Sequence, residues 1–203
     1  MTQTSTTRMP TTAEPLTFDG LGFDYTGRTG QVRAIERIDG EIPAGRFISV
    51  IGPSGCGKST LLDIAAGLAR PTRGTARAGD SEIRRPRRST SIVFQEPALL
   101  PWRSIVDNVA FPLEVAGVRR KERRARAQEL IDLVGLHGFE DKVPANLSGG
   151  MRQRASIARA LTTTPALLLM DEPFGALDQQ TRAKMGNELT RAWEEVRCTV
   201  MFV

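Results

Sequence analysis

The chain has 203 residues, 40% of them hydrophobic, which suits one compact domain with a real core and excludes disorder throughout. Aromatic residues make up only 5%, against a base-stacking platform for single-stranded nucleic acid, and the one histidine, His137, excludes a His-rich metal site. A net charge of +5, from 28 basic and 23 acidic residues, suits an anionic partner (nucleotide, nucleic acid or membrane face) without choosing among them.

Residues 1–15, MTQTSTTRMPTTAEP, are rich in Thr and Pro and have no apolar h-region. They read as a disordered leader rather than a secretory signal. The runs LTF, FDY and AIERIDGEI between Leu16 and Pro43 read as strands with turns, an antiparallel layer flanking the core. Beyond them, short apolar runs alternate with helical patterns, which predicts an α/β fold with a mostly parallel sheet. The core strands are expected at Phe47 to Ile51, Ser91 to Phe94, Ala166 to Met170 and Thr199 to Val203. A helix is expected over Lys58 to Ala69. Helical patterns at Ile105 to Phe111 and Lys121 to Val134 read as a subdomain, about residues 104–160, inserted between the second and third core strands. No apolar run approaches the roughly 20 residues of a bilayer span. Cys56 and Cys198 form no disulfide framework and suit a reducing cytoplasm.

Ligands of open α/β sheets bind at the carboxyl ends of the strands. The first three core strands deliver a glycine-rich loop, Gln95 and Asp171 to that edge. The loop GPSGCGKST fits the P-loop pattern G-x-x-x-x-G-K-S and lies between a strand and a helix. The expected nucleotide-binding residues are Gly52, Pro53, Ser54, Gly55, Cys56, Gly57, Lys58, Ser59 and Thr60. Glycines let backbone N–H groups approach phosphate oxygens, and the helix dipole adds to the attraction. Lys58 reaches the terminal phosphates and the Ser59 hydroxyl can ligate Mg²⁺. In LLLMDEP, Asp171 is the expected second-shell partner of Mg²⁺, and Glu172 can accept a proton from an attacking water.

Leu147 to Arg154, LSGGMRQR, looks like the signature of ABC ATPases. With GPSGCGKST, Gln95 and DEPFGALD at Asp171 to Asp178, the chain from residue 16 to 203 resembles that family: a P-loop NTPase core, a flanking antiparallel β layer and an inserted helical subdomain. The resemblance implies an ATPase using ATP and Mg²⁺. Gln95 would contact Mg²⁺ and the water and sense a membrane permease. Ser148, Gly149 and Gly150, at the start of a helix running to Leu161, would meet the γ-phosphate held by a second ATPase subunit in a head-to-tail dimer. Asp178 matches an aspartate at that seam. Tyr25 lies about where an aromatic stacks on adenine; Phe23 is the alternative, and core packing is open to either. The implied partners are the second subunit, permease subunits and, indirectly, a substrate-binding protein, with no nucleic acid. The implied location is peripheral, on the cytoplasmic face of the membrane.

The signature departs from many members at Met151, where they have Gln. TVMFV is not followed by the histidine that the family places after this strand, so the expectation for residues 1–203 is ATP binding with poor turnover. FQEPALLPW at Phe94 to Trp102, followed by NVAFPLEVAGV, is similar to importer ATPases for nitrate, sulfonates, taurine and related compounds. Trp102 is either a permease-docking residue or subdomain core. The arginines around 84–88 and 119–126 read as a solvated face near anionic lipid headgroups rather than a nucleic-acid site.

Overall fold

The computed structural model describes residues 12–27, 30–175, 182, 186, 190, 193–194 and 197–203. Two sheets organise it. The first joins β1 (Leu16–Gly27), β2 (Gly30–Ile42), β4 (Arg73–Ala78) and β5 (Ser81–Glu82) in the order β2-β1-β4-β5, with antiparallel pairing throughout. The second joins β3 (Phe47–Ser49), β6 (Thr90–Val93), β7 (Leu167–Met170) and β8 (Thr199–Phe202) in the order β3-β8-β7-β6, all parallel. This is the expected mostly parallel core sheet with an antiparallel layer beside it.

Phe18 and Leu21 are both buried although three residues apart, which a regular strand would not allow. A register shift between them, with Gly20 at φ +56, restores the inward face. In β7 every residue is buried, as a central parallel strand requires. Successive side chains point to opposite faces: Leu168 and Met170 enter one core, Leu167 and Leu169 the other. The first core lies under the helices between β6 and β7; the second lies between the parallel sheet, the first helix and the antiparallel layer.

Helix α1 (Lys58–Ala66) stops before Ala69 because Gly67 turns left-handed at φ +75. There the Gly67 and Leu68 N–H groups donate back to the Ile64 and Asp63 carbonyls. Helix α2 (Ile105–Val115) runs past Phe111 and through Pro112, which forfeits one internal hydrogen bond. Its packing on α3 (Arg120–Leu133) and α4 (Gly149–Leu161) carries it to the Gly117 turn. A 3-10 turn, Pro144–Asn146, precedes α4.

Glu14 and Pro15, within the expected leader, are tied to the fold. The Pro15 carbonyl accepts from Gly79 N at 2.9 Å, and the Glu14 carboxylate accepts from Arg87 at 2.7 Å. Thr199 Oγ1 of β8 also donates to the Glu14 carbonyl, which ties this residue to the parallel sheet. Among the described residues no helix is long and apolar enough to cross a membrane.

Candidate functional site

The loop Gly52–Thr60 follows β3 and opens α1. Gly57, the N-cap of α1, sits at φ +94, and a Cβ there would lie 2.5 Å from the Ala34 carbonyl oxygen. Only glycine fits both the conformation and the space. No side chain caps the helix and its first turn carries no acid, so its free N–H groups and positive dipole end are left for an anion. Lys58 arches back over the loop, its Nζ donating to the Gly52 carbonyl at 3.0 Å and the Pro53 carbonyl at 2.8 Å. Cys56 Sγ lies 3.8 Å from the same nitrogen. The cradle thus has the shape and charge for a polyphosphate.

The parallel sheet brings the remaining expected residues beside it. Asp171 follows β7, its N–H donating to the Val93 carbonyl at 2.9 Å, and its Oδ1 accepts from Ser59 Oγ at 3.2 Å. A hydroxyl and a carboxylate are hard oxygen donors that fit Mg²⁺. The next residue, Glu172, has φ +41, a left-handed conformation uncommon for a residue with a side chain. Its N–H is tied to the Val203 carbonyl at 2.9 Å. That turn swings its carboxylate to Gln95, whose Nε2 donates to Oε2 at 3.3 Å. Behind the site, Asp63 on α1 has its carboxyl held above the usual range, by burial first and then by the Asp171 charge. Negative charge gathered there favours a bound cation.

Tyr25 is half exposed, and its hydroxyl shares a hydrogen bond of 3.0 Å with Thr60 Oγ1. Phe23 packs against the core and meets the Tyr25 ring edge-on, with centroids 4.8 Å apart. Ser148 caps α4, its Oγ accepting from Met151 N at 3.3 Å, and Gly149 and Gly150 begin the helix. No described hydrogen bond joins Ser148, Gly149 or Gly150 to the P-loop. Asp178 lies outside the described residues.

Several side chains take roles that patterns in the sequence did not indicate. Trp102 is 75% exposed and is no part of the subdomain core. Part of the arginine clusters is engaged in ion pairs, while Arg85, Arg88, Arg119 and Arg120 are exposed. Arg103 and Arg123 meet Glu114, Arg124 meets Asp107, Arg126 meets Glu129, Arg84 meets Glu82 and Arg87 meets Glu14. Burial pushes the Cys198 thiol up to about 12, which makes it inert. Asn108 is a buried polar residue with backbone partners for both its amide oxygen and its nitrogen, and buried Gln153 donates to the Phe94 carbonyl. Their signal was faint, because a polar residue that faces inward looks in the sequence like one that faces solvent.

The profile of the family described as ABC transporter matches residues 35–175. A taurine import ATP-binding protein of Rhizobium johnstonii is 49% identical over 189 residues, 93% of this chain and 72% of that protein. An uncharacterised ABC transporter ATP-binding protein of Methanocaldococcus jannaschii is 46% identical over 181 residues, 89% of this chain and 67% of that protein. Among solved structures, the dimeric structure of MJ0796, a bacterial ABC transporter cassette, has a TM-score of 0.85 at 33% identity and covers 93% of this chain and 87% of that one. A post-hydrolysis state of the same cassette bound to ADP and Pi has a TM-score of 0.83 at 32% identity, with the same coverage. The P-loop, the acidic strand end and the signature helix lie on the matching fold, and the chain belongs to the ABC transporter family as an ATP-binding subunit of its ATPase class.

Proposed function

We propose that the chain binds Mg²⁺-ATP on Gly52–Thr60, hydrolyses it with Glu172 as general base, and so drives a membrane importer of a small anionic or zwitterionic solute. The observation that carries this reading is the meeting of Gln95 and Glu172 beside the Ser59–Asp171 pair, at the carboxyl ends of adjoining parallel strands. Lys58 and the backbone N–H groups around it hold the phosphates. Ser59 and Asp171 would hold Mg²⁺, which supplies charge neutralisation on the phosphate oxygens. Glu172 takes the proton of the attacking water, and Gln95 orients its carboxylate. Tyr25, exposed beside Thr60, offers a face for the adenine ring; Phe23 is committed to the core.

The signature residues Ser148, Gly149 and Gly150 are an exposed or half-exposed N-terminal turn with free N–H groups, a second anion site that a partner's nucleotide can fill. A head-to-tail dimer of ATPase subunits follows, in line with the dimeric cassette that this fold resembles. Trp102, exposed beside Pro101, offers a docking face for permease subunits and supports a peripheral position at the membrane. Similarity to taurine import ATP-binding proteins supports a sulfonate-like cargo.

The test is Glu172→Gln. Turnover is expected to fall by about 10²- to 10⁴-fold, the usual worth of a general base, with ATP still bound. An ATP-dependent dimer should then accumulate, visible by size-exclusion chromatography with light scattering. Hydrolysis at the unsubstituted rate would remove Glu172 from its role.

A further inference from the structure

The segment between β6 and α2 carries Gln95 at one end and the exposed Trp102 at the other, and α4 grips it from beneath. Gln153, only 3% exposed, donates through Nε2 to the Phe94 carbonyl at 3.2 Å. Farther along α4, Arg159 donates through Nη1 to the Ala98 carbonyl at 2.6 Å. The gripped carbonyls bracket Gln95, one immediately before it and one three residues after it. The six-residue step from Gln153 to Arg159 spans about 9 Å along a helix, so the segment is held over a length rather than at a point.

The physical character of these bonds fits a positioning device. A buried amide that lost its acceptor would be left with an unsatisfied donor, so Gln153 holds Phe94 firmly. The Arg159 bond is charge-assisted and short. Burial pulls the Arg159 guanidinium below its ordinary value, and its side-chain hydrogen bond goes to the Ala98 carbonyl. Loops free of such ties sample many conformations. Here the N-terminus of α4 is the signature turn, its middle holds residue 94 and its end holds residue 98.

We propose that Gln153 and Arg159 are positioning residues for hydrolysis: α4 fixes the 94–98 segment so that the Gln95 amide faces Glu172. A shift of the signature turn is then passed to Gln95 through the body of one helix. This rests on the reading of Gln95 as an active-site residue.

The experiment is a set of double-mutant cycles against Gln95→Ala, read by single-turnover ATP hydrolysis and, separately, by equilibrium binding of a fluorescent ATP analogue. Gln153→Leu and Arg159→Ala are each expected to lower the hydrolysis rate constant by about 10- to 100-fold, the scale of lost supporting-shell contacts. Nucleotide affinity should stay within about twofold, and Arg159→Lys should recover most of the rate because an ammonium can still donate to the Ala98 carbonyl. In the Gln95→Ala background neither substitution should lower the rate further, since residues acting as a unit are non-additive. A merely structural role would instead lower thermal stability and affinity together. If Gln95→Ala itself leaves hydrolysis unchanged, the reading of Gln95 fails and this proposal with it. If Gln95→Ala slows hydrolysis but Gln153→Leu does not, or slows it equally in both backgrounds, the positioning role alone is refuted. Should circular dichroism show Arg159→Ala unfolded, Gln153→Leu and Arg159→Lys decide by the same criteria.

Discussion

At the scale of single residues, the site is built from backbone as much as from side chains. Gly57 supplies a conformation that a Cβ would block, and its neighbour Lys58 is held over the loop by the Gly52 and Pro53 carbonyls. Glu172 reaches Gln95 only through a left-handed backbone turn. The Lys58 ammonium is the charge that balances the terminal phosphates, and this gives a direct prediction. Mg²⁺-ATP at a hundredfold excess over its Kd should stabilise the fold by about 2.7 kcal/mol, and Lys58→Ala should abolish most of that gain. A thermal-shift titration of both proteins reads it. An equal response in Lys58→Ala would remove the lysine from phosphate binding.

At the scale of elements, buried polar residues hold the helices to the loops that carry chemistry. Asn108 of α2 is fully buried. Its Oδ1 accepts from Leu100 N at 2.7 Å, and its Nδ2 donates toward the Leu100, Arg103 and Ser104 carbonyls at 3.0, 3.1 and 3.0 Å. The stretch from 100 to 104, with Trp102 at its crest, is thus stapled to the first turn of α2. Asn108→Ala leaves the Leu100 N–H unsatisfied and should cost about 1–3 kcal/mol. Asn108→Asp should cost more, because it turns a buried negative charge toward three carbonyl oxygens where an amide donated. Urea denaturation orders the two; an aspartate as well tolerated as the alanine would contradict the burial argument. The same logic explains helix boundaries. Gly67 and Gly117 stop α1 and α2 where left-handed caps satisfy the last carbonyls, three residues short of one expected end and four beyond the other.

At the scale of the whole molecule, the two halves of the proposed chemistry stand apart in one chain. The P-loop, Gln95, Asp171 and Glu172 gather at one sheet edge, whereas no described hydrogen bond reaches them from Ser148, Gly149 or Gly150. A signature turn left unused by its own P-loop suits a second subunit. Ser148→Arg should therefore prevent the ATP-dependent dimer of Glu172→Gln while leaving ATP binding by the monomer intact. Analytical ultracentrifugation of the double variant with and without ATP distinguishes the outcomes, and a dimer that persists would place the interface elsewhere.

Much of this was legible before any coordinates. The P-loop is contiguous, and its glycines, lysine and serine act through local backbone geometry, so GPSGCGKST could be read directly. The apolar runs of the core strands and the periodic helices were equally local, and the α/β class followed from their alternation. The antiparallel layer was legible too, although the bulge at Gly20 that turns both Phe18 and Leu21 inward was not. Only the tertiary structure decided which distant groups meet. Ser59 and Asp171 are 112 residues apart, Gln95 and Glu172 are 77 apart, and Gln153 and Phe94 are 59 apart. These encounters depend on the strand order β3-β8-β7-β6, which sets whose ends adjoin, and periodicity within a strand carries no information about its neighbours. Exposure was likewise decided in three dimensions. Trp102 is as apolar in the sequence as a core residue, yet the Asn108 staple holds its loop at the surface; Arg123 and Arg124 look like part of a basic face, yet α2 brings Glu114 and Asp107 to them.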